Sequence, residues 1–205
     1  MGRDQRGRLP RPGGSRVTAT RPRGRVGYSS MAVGLLGDAL AARAGTSYEQ
    51  LVTERVLTPL GMSDTRVTVP PGRAHSLLQG HSPRGRPRPP IEDFMPAAGA
   101  LRSTVEDMLR FLGACLQAPE GSLGRALDLA QRPHAPLGRG LQMGLCWVVL
   151  ARRGHPRVVW HSGGTWGFRA FAGFAPERGT AAVVLSNTAR SVDRLGFHLV
   201  EEGRA

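Results

Sequence analysis

The apolar pattern of this 205-residue chain changes period once, and that change constrains the fold more than any other feature. Up to about residue 130 apolar side chains recur at helical spacing, and after Gly140 they come in short β-rich runs between Gly and Pro turns. Ala32, Leu35, Leu36, Ala39 and Leu40 share one helix face, with Ser29 or Ser30 as amino cap and Gly45 beyond the end. Thr46 with Glu49 makes a capping box ahead of Tyr48, Leu51, Val52 and Val56, and Pro59 stops that helix. A third helix opens on the box Ser103 and Glu106, carries Val105, Met108, Leu109, Leu112 and Leu116, and ends at Pro119. A shorter one is expected over 123–130.

Strands are predicted over 143–150, 158–161, 168–174 and 180–186, and turns of this length favour antiparallel pairing. Val192, Leu195, Leu199 and Val200 outline a closing helix. Helices, then an antiparallel meander, then a packed helix make an α+β fold. The core is expected to hold Leu35, Leu36, Leu109, Leu112 and the valines of the last strands. Residues 70–98, rich in Pro, Gly and Arg, form a long excursion with at most a short strand near Ala74 to Gln79. Residues 1–25 show neither period and are expected to be disordered, leaving 26–205 as the domain.

Composition excludes several chemistries. All 28 basic residues are arginine. Without lysine there is no Schiff base, no phosphate-loop lysine and no Ser-x-x-Lys pair. The net charge of +13 is local: residues 1–25 carry +7 and Arg84, Arg86 and Arg88 add three, which leaves +3 for the rest. Cys115 and Cys146 fit neither a disulfide framework nor a metal site and are expected to be buried thiols. His75 and His81 lie in the excursion and the other histidines are scattered, so no metal or cofactor is predicted. No run approaches the ~18 apolar residues of a membrane helix, and no leader pattern opens the chain. The expectation is a cytoplasmic chain, unless a longer product is exported.

Nucleophile motifs are absent as well: there is no Gly-x-Ser-x-Gly elbow, and Ser162 points to the opposite strand face from its neighbour His161. The run Gly163, Gly164, Thr165, Trp166 and Gly167 joins two strands and opens no helix, which argues against a phosphate cradle. Two segments remain, Tyr28-Ser29-Ser30 at a helix start and His161-Ser162-Gly163-Gly164 at a strand end.

These segments resemble the β-lactamase-related serine hydrolases: class C β-lactamases, D-alanyl-D-alanine peptidases and related esterases. GYSSMAVGLLGDALAARAGTSYEQLVTERVLTPLGMSDTRV is similar to the family helix opened by Tyr-x-Asn and to the segment after it. PAAGALRSTVEDMLRFL and VVWHSGGTWGFRAFAGFAPERGTAAVVLSN resemble the next helix and the strand pair bearing the third motif.

The resemblance implies a partial β-lactamase/transpeptidase-like fold and an acyl-enzyme hydrolysis of an amide, lactam or ester. Tyr28 would help move the proton of a serine nucleophile, a task in which a phenol needs a nearby cation. Ser30 stands where the family has Asn, which weakens a substrate contact. His161 replaces the third-motif Lys as cation or hydrogen-bond donor. Gly163 and Gly164 would border the developing oxyanion, which the Gly164 N–H would meet, and Trp166 would line the substrate groove. The family's Ser-x-x-Lys has no counterpart here, so the resemblance implies a truncated, inactive form whose small-molecule or peptide-like substrate binds only after completion upstream. It also implies a sheet with an exposed edge and an uncovered apolar face. The alternative is a non-catalytic binding module, with the Arg-rich tail holding nucleic acid or an anionic surface, although nucleic acid is disfavoured by the arginine-biased composition.

Overall fold

The structure is a computed structural model that describes residues 27–90, 95–151 and 153–203. The expectation for 1–25 lies outside the described residues. Among the described residues five α-helices and six strands follow in the order α1 (Ser30–Ala44), α2 (Tyr48–Val52), α3 (Val105–Gln117), α4 (Ser122–Gln131), β1 (Ala135–Gly138), β2 (Leu141–Met143), β3 (Val148–Leu150), β4 (Val158–Thr165), β5 (Phe168–Ala175), β6 (Thr180–Ser186) and α5 (Asp193–Glu202). The strands form one antiparallel meander in sequence order. This is the α+β arrangement that the change of period predicts.

The sheet is covered on both faces, and strand alternation sorts the core accordingly. On one side Val149, Val159 and Phe174 pack with Leu112 and Cys115 of α3 and Leu127 of α4. On the other, Val158, Phe171 and Ala182 pack with Val200 of α5. Phe171 and Phe174 are fully buried, and each contributes about 2–3 kcal/mol by leaving water. Gly196 lets α5 approach, since a Cβ there would sit 2.2 Å from the Phe171 ring.

Several expectations shift. The capping box of α2 is Ser47 with Gln50, not Thr46 with Glu49. Glu49 is drawn away because its carboxylate accepts from Val67 N, Thr68 N and Thr68 Oγ1, each at 2.8 Å. α2 continues into a π-helical turn over Thr53–Leu57 ahead of Pro59. Thr104, not Ser103, caps α3, its side chain accepting from Asp107 N. The run expected over 143–150 is interrupted, since β2 ends at Met143 and β3 begins at Val148 with Cys146 at φ 63° between them. Cys146 is consequently exposed, whereas Cys115 is buried. No strand forms over 74–79, because Pro71 starts a 3-10 turn that runs to Ser76.

The largest departure concerns α1. Its buried positions are Gly34, Gly37 and Ala41, while Leu35 and Leu36 are more than half exposed. Met95 and Ala97 press on the glycines so closely that a Cβ at Gly37 would lie 2.2 Å from the Ala97 Cβ. The leucine face, with Met31 and Leu40, therefore turns to solvent, and Leu109 of α3 is also exposed. In α5, Gly196 and Val200 are buried while Leu195 and Leu199 are exposed. Among the described residues β6 pairs only with β5, so one edge of the sheet is open.

Candidate active site

Ser29 caps α1, its side chain accepting from Ala32 N at 3.2 Å, and this places Tyr28 one residue before the helix-capping residue. Leaving water costs Tyr28 little here, since it is 66% exposed. On the sheet, β4 runs past its neighbour: Trp160 is the last residue opposite β3, where it meets Val148. The turn at Gly144, whose N–H donates to Trp147 O at 2.7 Å, carries the chain away. From His161 to Thr165, β4 has no strand on that side among the described residues. An extended backbone with one open edge offers hydrogen-bonding groups to whatever lies beside it.

Tyr28 and His161 meet across this opening, with ring centroids 6.0 Å apart and planes inclined by 35°. A hollow of about 360 Å³ there is lined by Tyr28, Ser30, His161, Gly163 and Gly164. Five of the six site residues expected from sequence thus come together. Trp166 does not, for it stands on the turn between β4 and β5 and is exposed. Val148, Trp160 and Ser162 also line the hollow: sequence reasoning missed Val148, read Trp160 as core or cleft wall, and set Ser162 aside as a nucleophile. Val148 was legible only as a strand residue, and its place at the hollow follows from where β3 stops.

Burial holds the His161 imidazole below the ordinary histidine range, so near neutral pH it is uncharged. A neutral imidazole can accept or donate a hydrogen bond but supplies no positive charge to a phenol. A Cβ at Gly164 would meet the Arg169 guanidinium, the far end of a flexible side chain that can move aside, so packing alone does not require glycine there. Among the described residues no group of three His, Cys, Asp or Glu side chains is placed to hold a metal. None of their helices is long and apolar enough to cross a membrane.

Comparison with known proteins bears on the fold and the family. The Beta-lactamase family model matches residues 12–202. A curated relative is the D-alanyl-D-alanine-carboxypeptidase/endopeptidase AmpH of Escherichia coli K12, 42% identical over 65 residues, which are 30% of this chain and 17% of that protein. Among solved structures, the beta-lactamase/D-alanine carboxypeptidase of Pseudomonas syringae superposes with a TM-score of 0.79 at 19% identity, covering 87% of this chain and 60% of that one. The D-alanine carboxypeptidase AmpC of Burkholderia cenocepacia gives a TM-score of 0.76 at 21% identity, covering 84% and 59%. The matched region thus spans less than two thirds of each of these proteins. With the family match running over nearly the whole described fold, the chain belongs to the beta-lactamase-related serine hydrolase family.

Proposed function

We propose that this chain supplies the tyrosine and sheet-edge half of an acyl-transfer cleft, hydrolysing an amide, lactam or ester through an acyl-enzyme when a nucleophile reaches the hollow. The observation that carries this is the meeting of Tyr28, His161 and the open Gly163-Gly164 backbone in one hollow. Tyr28, its phenol ionised beside the lysine of the added Ser-x-x-Lys, takes the proton of the incoming serine hydroxyl, and neutral His161 supports it by a hydrogen bond rather than by charge. The Gly164 N–H meets the oxyanion. Ser30, in place of the family Asn, gives a weaker hydrogen bond to the substrate amide. The 205 residues contain no Ser-x-x-Lys, so by themselves they turn over nothing appreciable.

The test uses a chromogenic cephalosporin and a short-chain nitrophenyl ester. The chain alone is expected to match buffer. A longer polypeptide that adds a Ser-x-x-Lys segment encoded upstream is expected to show saturable turnover, reduced about 10²–10⁴-fold by Tyr28→Phe. Turnover by the longer form that is indifferent to Tyr28→Phe overturns the assignment of roles, and turnover by the 205 residues alone overturns the requirement for an added nucleophile. A D-alanyl-D-alanine peptide, followed by release of D-alanine, is the third substrate for the longer form. Failure of every substrate with the longer form, while ligands still bind, favours a non-catalytic binding module.

A further inference from the structure

Beyond β6 the chain turns through Asn187 and Thr188 towards α5, and the loop around Ser82 folds against that exit. Within the loop, Ser82 N donates to Arg86 O at 2.7 Å and Gly85 N to Ser82 O at 2.9 Å, with Gly85 at φ 79°. His81 anchors it, donating from N to Asn187 O at 2.8 Å and accepting at O from Ala189 N at 2.9 Å. Arg190 Nε donates to Pro83 O at 2.9 Å and ties the two loops together. Between them lies a hollow of about 500 Å³ whose lining includes Arg84, Arg190, Ser186, Thr188 and Ser191 and, among the described residues, no carboxylate.

The hydrogen-bond balance of this lining is one-sided. Ser186 Oγ is spent on Thr188, donating to its O and accepting from its N. Ser191 Oγ accepts from Asp193 N at 3.3 Å, which leaves its own proton to donate. The Thr188 hydroxyl is also free to donate. Arg190 is held through Nε, which leaves its two terminal NH₂ groups. Arg84 makes no ion pair among the described residues, and Asp193, the acid next to the lining in sequence, is outside it. Two guanidinium groups and two hydroxyl donors in one hollow call for an anion. A planar carboxylate offers two oxygens in one plane. A tetrahedral phosphate presents oxygens in several directions and can meet both guanidinium forks and the hydroxyls together.

We propose that this hollow binds a phosphate group, either as the free ion or as a phosphomonoester on a larger molecule. Its lining shares no residue with the hollow at Tyr28 and His161, so it does not depend on the acyl-transfer reading. Amide shifts of the isotope-labelled full chain, titrated at constant ionic strength with inorganic phosphate, glycerol 3-phosphate or acetate, test it. Saturable shifts are expected at Gly85, Thr188, Ser191 and Asp193, with Kd raised about ten-fold by Arg84→Gln and by Arg190→Gln. Arg125→Gln, on α4, is expected to leave it unchanged. Because Arg190 also holds the loop, Arg84→Gln is the decisive variant, since Arg84 has no hydrogen-bond or ion-pair partner to lose among the described residues. Tighter binding of glycerol 3-phosphate than of inorganic phosphate identifies the monoester as the ligand form, and the reverse identifies the free ion. Acetate binding as tightly as phosphate, no saturation at those amides, or an unchanged Kd in Arg84→Gln overturns the proposal.

Discussion

The fully buried Asp107 carboxylate accepts from Thr65 Oγ1 at 2.9 Å, across 42 residues of sequence. The same oxygen takes Asp64 N at 2.8 Å, and the other takes Arg110 at 2.6 Å. One side chain thus pins the loop after Met62 to the first turn of α3. Asp107→Ala leaves those donors unpaired and is expected to cost about 3 kcal/mol, against about 1 kcal/mol for Thr65→Val. Urea unfolding midpoints at constant m-value measure both, and equal costs would show that the carboxylate is not the hub.

Two helix glycines separate intrinsic propensity from packing. At Gly113 of α3 nothing lies within 4 Å of an added Cβ, so Gly113→Ala is expected to stabilise by about 1 kcal/mol. At Gly37 the same propensity gain is outweighed, because Ala97 Cβ would be 2.2 Å away and its Cα belongs to the backbone. Gly37→Ala is expected to destabilise by about 1–3 kcal/mol. Thermal unfolding of the two variants should move in opposite directions.

The two thiols differ in reactivity. Burial pushes the Cys115 thiol up to about 12, so it stays protonated at any pH used for labelling. Cys146 is exposed. Ellman's reagent at pH 8 is expected to titrate one thiol per folded chain and two in denaturant, with Cys146→Ser removing the fast one. A fast thiol that survives Cys146→Ser would contradict the burial of Cys115.

The lowered His161 pKa makes stability depend on pH with a definite sign. The unfolded chain binds this proton more readily than the folded one, so stability rises with pH across the transition. The contribution is complete above the ordinary histidine value of about 6.5 and is lost as pH falls through the lower folded value. His161→Gln is expected to flatten the difference in unfolding free energy between pH 7.5 and 5.5. NMR titration of the imidazole should give a midpoint below 6.5, and one above it would reverse the sign.

Local order was readable from sequence where neighbours in the chain decide it. The helices around Ala32, Val105 and Leu123, the last strands and the closing helix follow from residues within one turn or one strand, and the quoted segments carry the family resemblance. The capping box moved by one position because Ser47 and Gln50 fit the pattern as well as Thr46 and Glu49, and the distant Val67 and Thr68 removed Glu49 from the competition.

What sequence alone determined is therefore the order of the helices and of the last three strands, the β-lactamase-related resemblance and the absence of lysine chemistry, while β1 and the break between β2 and β3 were not legible. Tertiary structure decided which faces are buried. Periodicity shows that α1 has an apolar side, but burial depends on what stands opposite, and Met95 with Ala97 chose the glycine face over Leu35 and Leu36. It also decided that β3 ends opposite Trp160, which opens the β4 edge and brings Tyr28 to His161. Such meetings depend on contacts between distant parts of the chain, and no local pattern encodes them.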